Sequence, residues 1–550
     1  MQLLDFTLGQ ILEKWAYETP NKEFIVYPDR DLRFTYKQFN ERVDQLAKGL
    51  IYIGIKPHDK IGIWAKNVPD WTTLMFATAK IGAILVPINT NHKLIELKYL
   101  LKDANIQTLF LVDGFRDSDY VQMINKIVPE LKSHARGSLN SATFPELRNV
   151  VFVGQKKYRG MYNTTELMLL GSYIDDIELE SVKEALDVHD VVSIQYTSGT
   201  TGFPKGVMLS HHNILNNGYS VGECMKYSVI DRLLVCVPLF HSLGNVLGVC
   251  SIVSKGATMV FTEDFDPLMV FAAVQKEKCT AIYGVPTMFT EELNHPMFDM
   301  FDLSSLRTGI MAGNPCSIET MNLVMQGMHI KDIISVYGLT ESSPGMTATR
   351  SHNSSEVRST TVGFELPNVE VKIVNHYTGK LCEVEEQGEI CCKGYNVMKG
   401  YYNQPIETEN TIDADGWLHS GDLAVKNKDG FYRIIGRIKN MIIRGGEDIY
   451  PREIENYLYG LPQIEVVEIA GVPSKKYVEE VGAFIKLKKG ESLTEDEIID
   501  FCKGNIANFK IPKYIFFVNE FPMSAGGKIQ KYKLSELALE ICNERKIEIV

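Results

Sequence analysis

Short apolar runs alternate with longer amphipathic stretches along most of this chain, and that alternation is its strongest constraint. Ile61-Gly62-Ile63-Trp64 and Ala83-Ile84-Leu85-Val86-Pro87 are too short for helices and apolar throughout, as strands buried on both faces are. They flank a helical stretch at 70–80. Residues 35–50 predict another helix, because Thr35 and Gln38 fit a capping box and Phe39, Val43, Leu46 and Leu50 recur at helical spacing. Strand-like runs at 108–112, 149–153, 191–196, 233–238, 258–261, 280–283 and 333–337 continue the pattern. Such alternation predicts an α/β fold. The stretch 114–147 is polar and irregular and reads as a surface excursion.

At 550 residues the chain exceeds one ordinary domain. Apolar residues at 45% and charged residues at 23% exclude disordered and fibrous classes. A net charge of −12 disfavours a nucleic-acid partner. All ten cysteines lie beyond residue 223, none in C-x-x-C spacing, so structural zinc is not expected. Scattered thiols without an export signal suit a reduced, cytoplasmic chain. Cys391 and Cys392 read as neighbours on one strand facing opposite ways, with no redox role. A cytoplasmic chain does not meet the glycosylation machinery, so the sequons at Asn163 and Asn353 read as chance matches. No run is long and apolar enough to span a membrane, since 243–260 is broken by Asn245, Ser251, Ser254 and Lys255. A transient membrane-surface contact stays open, as does the choice between monomer and homodimer.

The last part changes character. A polar, basic joint, Gly436-Arg437-Ile438-Lys439-Asn440, precedes a compact unit. Pro451 starts a helix, 464–472 and 481–487 read as strands, and Thr494 to Glu497 form a second capping box. The expected division is a body at 1–436, a joint at 437–440 and a terminal unit at 441–550.

The densest chemical signal follows the strand at 191–196. Tyr196-Thr197-Ser198-Gly199-Thr200-Thr201-Gly202-Phe203-Pro204-Lys205-Gly206 packs three glycines, five hydroxyl-bearing side chains and one lysine into eleven residues. Glycines let backbone N–H groups approach an anion, hydroxyls add donors, and Lys205 adds charge: a nest for phosphate oxygens. Lys205 is followed by Gly206, so the P-loop pattern is not met.

This loop resembles the signature of the adenylate-forming superfamily, which includes acyl-CoA synthetases, luciferases and non-ribosomal adenylation domains. Further family motifs follow in order over nearly the whole chain: Tyr337-Gly338-Leu339-Thr340-Glu341, Ser420-Gly421-Asp422, Gly436-Arg437-Ile438-Lys439, Arg444-Gly445-Gly446-Glu447 and Pro522-Met523-Ser524-Ala525-Gly526-Gly527-Lys528. The nearest resemblance is to bacterial medium- or long-chain fatty-acyl-CoA synthetases. It implies a large multi-subdomain N-terminal body of mixed sheets packed against helices, with a small, mobile α+β C-terminal lid. It also implies two steps. A carboxylate attacks the α-phosphate of ATP to give acyl-adenylate and pyrophosphate. The thiol of coenzyme A then displaces AMP. Both partners of the first step are anionic, so catalysis rests on positioning and charge neutralisation.

The resemblance assigns roles by position. Lys528 bridges the acyl carboxylate and the α-phosphate. Thr200 and Glu341 hold Mg²⁺, which takes hard oxygen ligands. Thr197, Ser198, Gly199, Thr201, Gly202 and Lys205 surround the phosphates. Tyr337 stacks on adenine, with Gly338, Thr340, Gly313 and Asn314 beside it, Asn314 replacing the usual small residue. Asp422 accepts both ribose hydroxyls and Arg437 adds a second ribose contact. His241 acts as a gate beside the adenylate. Lys439 is the hinge, and Asn440 departs from the acidic residue often found next to it. Gly445 and Gly446 line the tunnel for coenzyme A.

Gly338 stands where acetyl-specific relatives carry a Trp, which leaves the acyl pocket open for a longer chain. Val237, His241, Gly284, Val285 and Met288 would line it, though an aryl acid fits an open pocket as well. An adenylating enzyme that loads a carrier protein in trans is an alternative, no carrier following Lys528 in the sequence. A luciferase-like oxidase shares the motifs, and a non-catalytic nucleotide or acyl-ligand sensor would not need Lys528, Glu341 and Asp422 together.

Overall fold

The computed structural model describes residues 1–197, 204–313, 318–444, 447–474, 476–523 and 529–544. Contacts divide the chain into two compact units. One comprises Met1–Val371 with Cys392–Leu418, the other Lys372–Cys391 with His419–Val550.

The first unit is built on two large sheets. In the nine-stranded sheet, Asp332–Gly338, Thr308–Ala312, Ala281–Gly284, Arg232–Val235, Thr258–Phe261 and Glu23–Tyr27 lie side by side and parallel, with antiparallel strands at each end. In the eight-stranded sheet, Val191–Thr197, Ile84–Pro87, Lys60–Trp64, Ile106–Leu111 and Asn149–Phe152 are parallel, and Lys205–Ser210 turns back antiparallel on Val191–Thr197. Central strands such as Ile84–Pro87 and Ile106–Leu111 are buried at every position. Helices cover both faces of such a strand, so its sequence runs apolar instead of alternating.

The expected helix at 35–50 is Tyr36–Tyr52, with both halves of the Thr35–Gln38 capping box formed and Phe39, Val43, Leu46 and Leu50 buried. The stretch 114–147 differs from its reading as an irregular excursion. It contains a helix, Tyr120–Ile127, capped by Asp119 through a 2.8 Å bond from the Gln122 N–H. Tyr120 is buried, stacks on Trp64 and thereby anchors the helix to the eight-stranded sheet. One aromatic contact supplies what the polar composition hid. The longest apolar stretch folds as a π-helix, Leu243–Cys250, continued by a short α-helix and the strand Thr258–Phe261.

One charge sits deep in this unit. Lys80, wholly buried, places its ammonium 2.7 Å from Glu13, 2.6 Å from Asp44 and 2.8 Å from the Asn40 side-chain oxygen. Three acceptors compensate the lost hydration, as a buried ammonium requires.

The second unit contains most of a four-stranded sheet ordered Val369–Val374, Gln387–Gly394, Leu418–Lys426, Tyr432–Arg437. Its other sheet is centred on Ile464–Ser474 and Val478–Leu487, with Tyr514–Phe517 added in parallel. Helices Pro451–Leu458 and Glu495–Cys502 cover one apolar layer of that sheet, and Lys531–Glu544 supplies Leu534, Ala538 and Cys542 to the other. The Thr494–Glu497 capping box is formed. Mixed sheets in a large body, with a small α+β terminal unit, match the architecture that the motifs imply. Among the described residues no helix is long and apolar enough to cross a membrane.

Candidate active site

The strand Val191–Thr197 delivers the chain to the glycine-hydroxyl loop. Ser198, Gly199, Thr200, Thr201 and Gly202 lie outside the described residues, as do Asn314, Gly445, Gly446 and Lys528. Both flanks of the loop are described: Thr197 and Lys205 are register partners across the antiparallel pair. The Lys205 ammonium pairs with Glu407 and sits 5.0 Å over the Tyr401 ring. On that same ring, the Tyr401 hydroxyl donates to Glu341 Oε1 at 2.8 Å. The Met398 N–H donates to the Glu341 carbonyl at 3.0 Å, which fixes the short 3₁₀ turn Thr340–Ser342. Burial, then the Glu341 carboxylate, push the Tyr401 phenol far up, so it remains a donor. Lys205 and Glu341, 136 residues apart in their numbering, thus meet on one aromatic side chain to which the sequence reading gave no role.

Glu341 is half-buried and presents a hard oxygen donor already oriented by a phenol. That arrangement fits a magnesium ligand, with Thr200 as its expected companion. Bound there, the ion would neutralise phosphate charge.

Tyr337 and Gly338 end the strand Asp332–Gly338, and Thr340 opens the turn that carries Glu341. A Cβ on Gly338 would lie 1.7 Å from the Pro344 carbonyl oxygen. Backbone packing in this structure thus offers a reason for glycine here that is independent of the acyl group. Gly313 closes the neighbouring strand end, and a Cβ there would touch Val285 at 3.3 Å. Gly284 ends a third strand, with the Phe289 ring against it, and Val285 directly precedes the helix Pro286–Leu293 that carries the half-buried Met288. The candidate adenine-side and acyl-side residues thus sit at adjacent C-terminal ends of parallel strands, where open α/β sheets place ligands.

Val237 is buried and His241 exposed, in the loop between the strand Arg232–Val235 and the π-helix. Two asparagines clamp this loop. The Asn67 side chain accepts from the Leu239 N–H at 2.9 Å and donates to the Val237 carbonyl at 3.0 Å. The Asn245 amide donates to the Leu239 carbonyl and accepts from Gln195, on the strand that feeds the phosphate loop, both at 2.9 Å. His241 Nδ1 accepts the Leu243 N–H at 3.3 Å, which leaves the proton of the neutral ring on Nε2. Buried asparagines far apart in sequence had no local signal, so Asn67 and Asn245 were missed.

In the second unit, Asp422 and Arg437 are register partners on adjacent strands. Asp422 is 6% exposed and its Oδ1 accepts from Arg437 Nε at 2.8 Å. Lys439 lies on the 3₁₀ turn Ile438–Asn440 and is exposed. The residues flanking the Lys528 motif are described: Met523 and Ile529 form an antiparallel bridge, and the Gln530 N–H donates to the Pro522 carbonyl at 2.8 Å. Lys531, directly beyond, is half-buried between Glu455 and Glu468, which raise its ammonium above the usual lysine range against partial desolvation.

Residues 12–402 match the AMP-binding enzyme family, and residues 453–528 match the AMP-binding enzyme C-terminal domain. The chain belongs to the AMP-binding enzyme family, alongside the acyl-CoA synthetases of the adenylate-forming superfamily. A Bacillus subtilis (strain 168) protein named "Putative acyl-CoA synthetase YngI" is 48% identical over 542 residues, covering 98% of this chain and 99% of its own. Human mitochondrial medium-chain acyl-CoA ligase ACSF2 is 38% identical, covering 96% of this chain and 87% of its own. Among solved structures, ATP-bound MatB from Rhodopseudomonas palustris superposes with a TM-score of 0.81 at 25% identity, covering 98% of this chain and 100% of its own.

Proposed function

We propose that this chain is an ATP-dependent, AMP-forming fatty-acid–CoA ligase for medium- or long-chain acids, working in the cytoplasm. The observation that carries the reading is the convergence of Lys205 and Glu341 on Tyr401, beside the strand end that opens the glycine-hydroxyl loop. A cation and a carboxylate oriented at one loop suit a metal–triphosphate substrate. The medium-chain ligase named among the full-length relatives supports the acid class.

In this reading Thr197, the loop 198–202 and Lys205 hold the phosphates, and Glu341 with Thr200 carries Mg²⁺. Tyr337, Gly338, Thr340, Gly313 and Asn314 border the adenine, and Asp422 with Arg437 holds the ribose. Lys528 neutralises the charge that builds as carboxylate meets α-phosphate. His241 guards the acyl side, lined also by Val237, Gly284, Val285 and Met288. The terminal unit 441–550 swivels about 437–440 at Lys439, and Gly445 and Gly446 then admit coenzyme A.

Pyrophosphate release is measured with carboxylic acids of increasing length, with and without coenzyme A. Release peaking at medium or long chains, with thioester formed only when coenzyme A is present, is the expected result. Release without any thioester would favour carrier loading. No release with any acid would favour a ligand sensor.

A further inference from the structure

Behind the Ser420-Gly421-Asp422 turn lies a chain of polar groups that the motifs do not include. The Gly421 N–H donates to Glu389 Oε1 at 2.8 Å. The other carboxylate oxygen, Oε2, lies 2.8 Å from His419 Nδ1, and that ring nitrogen is also 3.5 Å from Cys391 Sγ. Glu389 is 9% exposed and Cys391 wholly buried. Ser420 ties the same turn from its other side: its hydroxyl donates to the Ile390 carbonyl at 2.6 Å and accepts the Asp422 N–H at 3.0 Å. Gly421 has φ +71, a conformation that glycine adopts freely and L side chains resist.

We infer that His419 and Glu389 form a positioning pair: protonated His419 holds the Glu389 carboxylate, and Glu389 fixes the Gly421 N–H, so that the Asp422 side chain meets the ribose hydroxyls in one orientation. The inference rests on the reading of Asp422 as the ribose acceptor. The chemistry is consistent. The Cys391 sulfur and the Glu389 carboxylate both raise the His419 imidazole, against burial, and with Cys391 a thiol it is the 2.8 Å contact with Glu389 that favours the protonated ring. A charge-assisted bond of this kind is stronger than a neutral one and holds its acceptor more firmly.

The same three side chains are a donor set that a transition metal could use. Both Glu389 oxygens are already engaged, however, one by a backbone N–H and one by the imidazole. Burial also pushes the Cys391 thiol up, which keeps the sulfur protonated. In the proposed pair a proton joins the group.

The test compares ATP with 2′,3′-dideoxy-ATP in the full-length protein. Glu389→Gln and His419→Gln should each raise KM for ATP by about tenfold, the scale of one charge-assisted contact. KM for dideoxy-ATP should stay within about twofold of the wild type, because the lost orientation serves hydroxyls that this nucleotide lacks. Equal rises for both nucleotides would mark a merely structural role and overturn the inference, as would no rise for either. Asp422→Ala separates the two levels. If it removes the wild-type preference for ATP while Glu389→Gln keeps it, the positioning pair fails and the ribose reading stands. If the wild type shows no preference and Asp422→Ala costs nothing, the ribose reading fails and the inference falls with it. One equivalent of Zn²⁺ retained by the wild type and lost in Cys391→Ser would also overturn the proton-linked pair.

Discussion

The Tyr401 hydroxyl donates to Glu341 Oε1 at 2.8 Å across 60 residues of sequence. One phenol thereby orients the carboxylate proposed to carry Mg²⁺. Tyr401→Phe deletes that bond and keeps the ring beneath Lys205. A lost hydrogen bond of about 0.5–1.5 kcal/mol corresponds to roughly two- to tenfold. We expect the Mg²⁺ concentration giving half-maximal pyrophosphate release to rise by about that factor. An unchanged magnesium titration would separate Tyr401 from the metal.

Gly338 admits two explanations that one substitution distinguishes. A Cβ at 338 would lie 1.7 Å from the Pro344 carbonyl oxygen. Gly338→Ala should therefore destabilise the protein, by about 1–3 kcal/mol for overpacking, and depress activity on short and long acids alike. If Gly338 served only as an open pocket wall, the loss would fall on long acids and the melting temperature would hold. Melting curves and a chain-length series read both outcomes.

Lys528 and Gly446 divide the two half-reactions. Lys528→Ala should abolish acyl-adenylate formation, by about a hundredfold or more for a transition-state charge contact, and spare thioester formation from supplied acyl-adenylate. Gly446→Leu should retain ATP–pyrophosphate exchange and lose thioester output, because a side chain obstructs a close backbone approach. Equal loss of both half-reactions in Lys528→Ala would falsify the division.

Glu292 lies on the helix Pro286–Leu293, beyond the candidate pocket residues Val285 and Met288, and is 1% exposed. Burial, with Glu291 nearby, pushes its carboxyl up to about 8. Raising a folded-state acid above its unfolded value of 4.5 lowers stability as pH climbs between those values, and the loss levels off above about 8. Glu292→Gln should therefore melt close to the wild type near pH 5 and a few degrees higher, about 2 °C or more, near pH 9. Thermal melts at the two pH values check this, and an identical offset at both would contradict it.

The α/β alternation was legible because each buried strand and capped helix carries its own local signature. The capping boxes at Thr35 and Thr494 appear at the predicted positions. The helix Tyr120–Ile127 was not legible, because its anchor is Trp64, more than fifty residues away in sequence. The site divides in the same way. Contiguous motifs pointed to the 196–206 loop, Glu341, Asp422 and Lys528, since chemistry that needs adjacent donors leaves a contiguous trace.

Sequence alone therefore determined the fold class, the order of the motifs and the kinds of group available to an anionic substrate. It also reconciled a net charge of −12 with such a substrate, through local devices such as Lys205 and Arg437 in place of a general positive field. Only the tertiary structure decided which residues hold the motif side chains in place. Tyr401 behind Glu341, Asn67 against Leu239, Asn245 against Gln195, and Glu389 behind Gly421 are hydrogen bonds closed over long sequence separations. Such a bond imposes no periodicity and no neighbouring pattern on the chain. It exists only once packing has brought its two ends within about 3 Å.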